Sequence, residues 1–205
     1  MSPKGSAVPL LDKETGEIVA AHLVEGIDET HLEDVERSWL PVLLEGLQRL
    51  VASGKPRREW PQSHHWNWRS KVEHTRGLLA YRGFAIECQE RTQGLMLVKL
   101  SELCKLQEQR GKPLVYVDYL ETAPWNQREL VDQPRFGGIG IVMLTAAITL
   151  SRDEGFHGRI GLHSLPQSEK FYEACGMTGL GKDRSKQGLC YFEMTSEQAT
   201  AFLEK

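Results

Sequence analysis

The sequence predicts an α/β fold built on a sheet of mixed strand direction, and three observations carry that expectation. Strand-like runs rich in β-branched and aromatic residues fall at Leu79–Gln89, Gly94–Leu100 and Leu114–Thr122. An apolar helical run follows at Gly138–Asp153, with Val142, Leu144, Ala146, Ala147, Ile148 and Leu150. Shorter strand and helix signals then alternate, at Arg159–His163, Pro166–Cys175 and Leu189–Met194.

The elements follow in order. Residues 1–14 are small, polar and Pro-containing and read as a flexible leader, ahead of a single domain over 15–205. Glu17–Val24 reads as a first strand. Asp28 or Thr30 caps a helix whose stripe is Leu32, Val35, Trp39, Val42, Leu43, Leu47 and Leu50, and Pro41 is expected to kink or split it. Gly54–Lys71 gathers three of the five tryptophans, the His64-His65 pair and several basic residues. Two adjacent histidines without further ligands do not make a zinc site, so no metal is expected. Trp66 and Trp68 either line a pocket or pack onto the sheet. A polar turn at Glu90–Gln93 joins two strands as a hairpin, and Pro124 ends the 114–122 strand. Gly155 and Gly158 close the long helix, Gly176 closes the next, and Gly179–Gly181 makes a turn before the last strand. Ser196 caps a C-terminal helix.

Composition narrows the function classes. With 40% hydrophobic and 26% charged residues the chain resembles ordinary globular proteins, and a net charge of -3 gives no general attraction to nucleic acid or anionic membranes. The spacing of Cys88, Cys104, Cys175 and Cys190 fits neither a zinc site nor a disulfide scaffold, which points to reduced thiols. Met1–Leu11 has no basic start ahead of a long apolar stretch, and no segment reaches the ~18 apolar residues of a membrane span. The expectation is a cytoplasmic protein with no membrane contact.

The most informative residues are Gln133-Pro134-Arg135-Phe136-Gly137-Gly138-Ile139-Gly140, between a strong strand and a strong helix. Glycines let the backbone approach a ligand, and a helix N-terminus offers unpaired N–H groups and partial positive charge. Together these suit a pyrophosphate, although a tight turn without a ligand would look the same. A Walker A loop is excluded, because Ile141-Val142 follows where Lys-Ser or Lys-Thr is required; a Rossmann fingerprint is equally incomplete.

This segment resembles the GNAT acetyltransferase superfamily, whose Gln/Arg-x-x-Gly-x-Gly/Ala motif is matched by Arg135, Gly138 and Gly140. Two further features support it: Phe171-Tyr172 on a helix ending at Gly176-Met177, and the Thr122-Ala123-Pro124 step after a strand. The resemblance covers roughly residues 79–194, with 28–77 as a helical, substrate-side region. It implies a mostly antiparallel sheet with a splayed cofactor gap, and acetyl-CoA as cosubstrate. The cofactor would lie between the strand ending at Thr122 and the strand around Gly161. Backbone groups of Leu120, Glu121 and Thr122 would pair with the pantetheine arm. The N–H groups of Phe136, Gly137, Gly138, Ile139, Gly140 and Ile141, with Arg135, would hold the pyrophosphate.

Acetyl transfer to a primary amine needs a general base. Asp118 and Glu121 lie on opposite faces of one strand, and Asp118 is the first choice, with His163 a third candidate. The resemblance makes Tyr172 the general acid toward the thiolate. The acceptor is a small-molecule or protein amine, with Trp66, Trp68 and His163 as weak substrate contacts, and homodimers are common in the family. Two rival readings remain: a toxin-type enzyme acting on aminoacyl-tRNA or protein, which Lys55-Pro56-Arg57-Arg58 keeps open, and a non-catalytic acyl-CoA-binding module. The sequence departs from the family in the length of its 125–134 loop and in lacking the Asn often found before the Tyr172 helix.

Overall fold

A computed structural model describes residues 5–204. Among the described residues nine strands and six α-helices follow one another. The strands are β1 Ser6–Asp12, β2 Ile18–Glu25, β3 Tyr81–Cys88, β4 Arg91–Leu103, β5 Pro113–Thr122, β6 Phe136–Gly137, β7 Ile160–Ser164, β8 Thr178–Asp183 and β9 Leu189–Met194. The helices are α1 Glu29–Asp34, α2 Leu40–Ala52, α3 Trp68–Thr75, α4 Ile139–Asp153, α5 Glu169–Ala174 and α6 Ser196–Leu203. The fold is thus mixed α/β, with a mostly antiparallel sheet flanked by helices. Two compact units divide the chain, and β4, β5 and α4 each run from one into the other.

The first unit takes the chain up to Leu78, then Arg82–Met96 and Leu120–Val142. Its strands are ordered β6-β1-β2-β3-β4, with the end of β5 beside β4. The segment expected as a flexible leader is in fact β1, antiparallel to β2 from Ser6↔Leu23 to Leu11↔Ile18; residues 1–4 of that leader lie outside the described residues. Alternation explains the correction: Leu10 and Asp12 are buried while Ala7, Pro9 and Leu11 face outward. Pro9 is tolerated because β6 covers β1 only at Leu11 and Asp12, so the N–H that proline lacks has no partner to lose on that edge.

Asp28 caps α1, as expected, in a reciprocal capping box with His31. The kink expected at Pro41 takes the form of a π turn over Val35–Trp39 just ahead of it, where the Leu40 N–H reaches back to the Val35 carbonyl. Widening the helix there relieves the crowding that the proline ring imposes on the preceding turn. This turn is anchored: Trp39 Nε1–H donates to the Thr92 carbonyl at 2.9 Å and the Thr92 N–H donates to Asp34 at 2.6 Å. The β3–β4 connection is shorter than expected. It is a two-residue turn at Gln89 and Glu90, both at positive φ (52° and 59°), so β4 begins at Arg91 rather than Gly94.

The second unit comprises Leu79–Tyr81, Leu97–Tyr119 and Met143 onward. Its strands are ordered β4-β5-β7-β9-β8. β5 and β7 are parallel, pairing over Val115–Val117 and Ile160–Leu162. In the same unit β5 continues through Asp118 and Tyr119, and β7 through His163 and Ser164, beyond that ladder. β7–β9 and β8–β9 are antiparallel. β8 replaces what read as a simple turn at Gly179–Gly181; Leu180 is its one hydrophobic residue and is exposed, so the strand carries little hydrophobic signal. The cap of α6 is Thr195 rather than Ser196, in a capping box with Gln198. Leu114, Val115, Met143, Leu144, Ile148, Ile160, Leu162 and Phe192 supply this unit's apolar core. Among the described residues no helix is long and apolar enough to cross a membrane.

Candidate functional site

In the first unit the chain leaves β5 at Thr122 and enters a 3₁₀ turn over Pro124–Asn126. The long loop that follows is tied down by one buried side chain. Gln93 Oε1 accepts from Trp125 Nε1–H at 2.8 Å and from Asn126 Nδ2–H at 3.1 Å, while its Nε2–H donates to the Cys88 carbonyl at 3.1 Å. Asn126 Oδ1 then accepts the Phe136 N–H at 2.8 Å, and the Arg135 N–H donates to the Trp125 carbonyl at 3.0 Å. In mid-loop, Leu130 lies against Gly46 of α2, where an added Cβ would come within 2.7 Å of the leucine. Arg49 Nη2–H donates to the Leu130 carbonyl at 2.9 Å. The loop is therefore fixed at both ends and the middle.

These bonds bring the glycine segment to the start of α4. Gly138 has φ +93°, a conformation costly for any side-chain-bearing residue, and its carbonyl accepts the Val142 N–H at 3.0 Å. The N–H groups of Gly138, Ile139, Gly140 and Ile141 precede that first helical bond and have no intrahelical acceptor. The Phe136 N–H is different from the expected free donor, because Asn126 takes it. Phe136 and Gly137 form β6 against β1. Arg135 is held by two acids of the N-terminal hairpin: Asp12 at 2.8 Å from Nη2, and Glu14 at Nη1. Its Nε is buried without a partner. The four helix-start N–H groups and the open space at Gly138, where an added Cβ would meet only Leu10 at 3.8 Å, fit an anionic group such as a pyrophosphate.

Glu121 is the second feature of this unit. Trp68 Nε1–H donates to its Oε2 at 2.6 Å, and the Ser63 and Gln127 side chains lie beside the carboxylate and favour its ionised form. Trp68 and Ser63 are buried, and Asn67 caps the helix that Trp68 opens by accepting the Ser70 N–H. Burial pushes the Glu121 carboxyl up to about 7, against those neighbours and the charge of Lys71. Trp66 stacks edge-on to Trp68 at 6.4 Å, with Lys71 Nζ 4.8 Å from its ring centroid. His64 and His65 pack edge-on at 5.4 Å, and His64 Nδ1 is 2.7 Å from the Pro61 carbonyl. The tryptophan segment thus both packs and grips a carboxylate. Leu120 and Thr122 flank Glu121 at the end of β5, half-buried.

The second unit holds the other candidates. Tyr116 hydroxyl, pushed upward by burial and so protonated, donates to His163 Nδ1 at 2.7 Å. His163 Nε2–H in turn donates to Asp183 at 3.1 Å. Asp183 is held well below the ordinary carboxylate range by hydrogen bonds from Ser185, Lys105 and His163. Burial lowers the His163 pKa, with Asp183 opposing, and both ring nitrogens are engaged. Asp118 sits in the field of Lys99, whose ammonium pairs with Glu102 at 2.5 Å. Tyr172 is buried between Phe171 (5.2 Å between ring centroids) and Phe192 (5.9 Å), and burial pushes its hydroxyl upward. Cys175 and Gly176 follow it at the end of α5, with Gly176 at φ +85°.

Sequence reasoning missed Ser63, Gln93, Asn126, Gln127 and Asp12. Gly46 inside an otherwise helical run was the one visible hint, since a glycine there signals close approach of another segment. The polar residues gave none, because their roles depend on long-range pairing.

No described family's profile matches the sequence, and no curated protein matches it. Solved structures do. The PaiA N-acetyltransferase of Thermoplasma acidophilum, in complex with coenzyme A, aligns with TM-score 0.51 at 13% identity, over 86% of this chain and 99% of that one. An acetyltransferase described as of the GNAT family, from Desulfovibrio desulfuricans, gives TM-score 0.53 at 13% identity, over 85% and 96%. The Bacillus subtilis N-acetyltransferase YlbP, in complex with coenzyme A, gives 0.50 at 10% identity, over 86% and 97%. Each alignment covers nearly all of the solved chain, so the likeness extends over the whole architecture: this chain has the fold of the GNAT acetyltransferases.

Proposed function

We propose that this protein transfers an acetyl group from acetyl-CoA to an amine, with Glu121 as the general base. The observation that carries the reading is the Glu121 carboxyl, gripped by Trp68, Ser63 and Gln127 at the end of β5 and pushed up to about 7. A base works best when its pKa lies near the working pH, because it is then both deprotonated and basic enough to take a proton. Asp118, the first choice from sequence, lies on the same strand within the field of Lys99, whose ammonium pairs with Glu102. His163 is committed on both nitrogens.

Acetyl-CoA supplies the activated thioester. The backbone N–H groups of Gly138, Ile139, Gly140 and Ile141 bind its pyrophosphate, with the unpaired Nε–H of Arg135 as a further donor. Leu120, Glu121 and Thr122 offer backbone groups to an extended ligand, as a strand edge does. Glu121 accepts the proton that an attacking amine must lose. Tyr172, its hydroxyl pushed upward by burial, is the proton donor that the family resemblance assigns to the departing thiolate.

Thermal-shift titration with acetyl-CoA and longer acyl-CoAs tests the binding half of this reading. Acetyl-CoA should raise the melting temperature of the wild type and leave that of Gly138→Asp unmoved. No shift with any acyl-CoA would contradict it.

A further inference from the structure

Gln127 carries a buried acceptor that nothing among the described residues satisfies. Its Nε2–H donates to the Thr122 carbonyl at 2.7 Å, and its side chain lies beside the Glu121 carboxylate, whose ionised form it favours. The Thr122 carbonyl fixes which way the amide faces, since turning it over would set oxygen against oxygen. Oε1 is therefore the other end of the amide, and it is buried with no partner among the described residues. The backbone of Gln127 is held from both sides: its N–H donates to the Pro124 carbonyl at 3.2 Å, and its carbonyl accepts from Leu130 and Val131 at 3.0 and 3.1 Å. The side chain is thus aimed by a fixed loop and not by chance.

A buried acceptor left unpaired is costly, and native proteins rarely keep one without a reason. Here the orphan belongs to the same side-chain cluster as the carboxylate of Glu121. Two acceptors on adjoining side chains, one of them anionic, call for a ligand with several N–H donors and positive charge.

We propose that Gln127 Oε1 and the Glu121 carboxylate together seat the acceptor as a primary amine in its ammonium form. The inference rests on the reading of Glu121 as the base. One N–H of the ammonium faces Glu121 and another is held by Gln127 Oε1. When Glu121 takes the first proton, the neutral amine keeps its hydrogen bond to Gln127, and its lone pair is released for attack. Gln127 is then a binding residue for the acceptor, placed by the long 125–134 loop.

The same orphan would also suit an amide N–H of the pantetheine arm, and kinetics separate the two. The probe set is benzylamine, tyramine, spermidine and a lysine-containing tripeptide with its N-terminus blocked, each assayed with acetyl-CoA by thiol release. Losing a hydrogen bond to a charged group should raise the KM of Gln127→Met for the accepted amine by roughly tenfold or more. Its kcat should change less, and its acetyl-CoA thermal shift should equal the wild type's, which also shows that the variant folds. An unchanged amine KM in Gln127→Met, or weakened acetyl-CoA binding in that variant, overturns the seat and leaves the transferase reading standing. Turnover of none of the four amines by a wild type that binds acetyl-CoA overturns both.

Discussion

Glutamate ordinarily ionises near 4.5, and at Glu121 the cost of desolvation outweighs four favourable neighbours to bring it to about 7. Two consequences of opposite sign follow. Only the ionised form is a base, so kcat/KM should rise with pH through a limb centred near 7. Stability should fall across the same range. Between about 4.5 and 7 the folded carboxyl still holds its proton while the unfolded one has lost it, so rising pH penalises the folded state. Glu121→Gln keeps an oxygen for the Trp68 N–H and removes the charge. It should lower kcat roughly 100- to 10,000-fold and abolish the limb near pH 7. Its melting temperature at pH 8 should be no lower than that of the wild type, and pH–rate profiles beside thermal melts check both. Glu121 was legible in the sequence as one of two carboxylates on a strand. What sets it apart from Asp118 was not, because Ser63, Trp68 and Lys71 come from a distant part of the chain.

At the scale of elements, the strand–loop–helix unit from β5 to α4 was readable from Pro124, the glycines and the apolar run of the helix. The hairpin turn at Gln89–Glu90 was placed late because neither residue is the glycine or asparagine that usually marks positive φ. β1 was missed because Pro9 and small residues masked a strand whose pairing comes from β2 and β6. Gly138 carries a prediction at this scale. An Asp there puts an anion at a helix start, which favours the helix dipole but repels a phosphate, while φ +93° strains the backbone. Gly138→Asp should therefore remain folded, losing about 1–3 kcal/mol of stability, yet lose acetyl-CoA binding by more than about tenfold. Calorimetric titration beside a denaturant melt separates the two. Gln93 anchors the loop through two hydrogen bonds and is itself held by the Cys88 carbonyl. Gln93→Leu strands the Trp125 and Asn126 donors and should cost roughly 2–3 kcal/mol in the same melt.

For the whole molecule, the order of strands and helices with three spaced motif features was enough to indicate the fold that the solved structures share. The acceptor was not legible, because nothing in the sequence says which side chains converge on Glu121. A ligand that binds only the folded chain stabilises it by about 2.7 kcal/mol at a hundred times its Kd, which for this chain length raises the melting temperature by roughly 5–10 °C. Acetyl-CoA should do so. Binding alone would also describe a non-catalytic module, so the decisive measurement counts product. Wild-type protein is incubated with acetyl-CoA and a primary amine, and free coenzyme A thiol is measured against N-acetylated amine by mass spectrometry. The account predicts equal amounts of the two, formed in many turnovers per protein and lost in Glu121→Gln. Acetyl-CoA that binds but yields no acetylated amine, or yields the same amount with Glu121→Gln as with wild type, would contradict it.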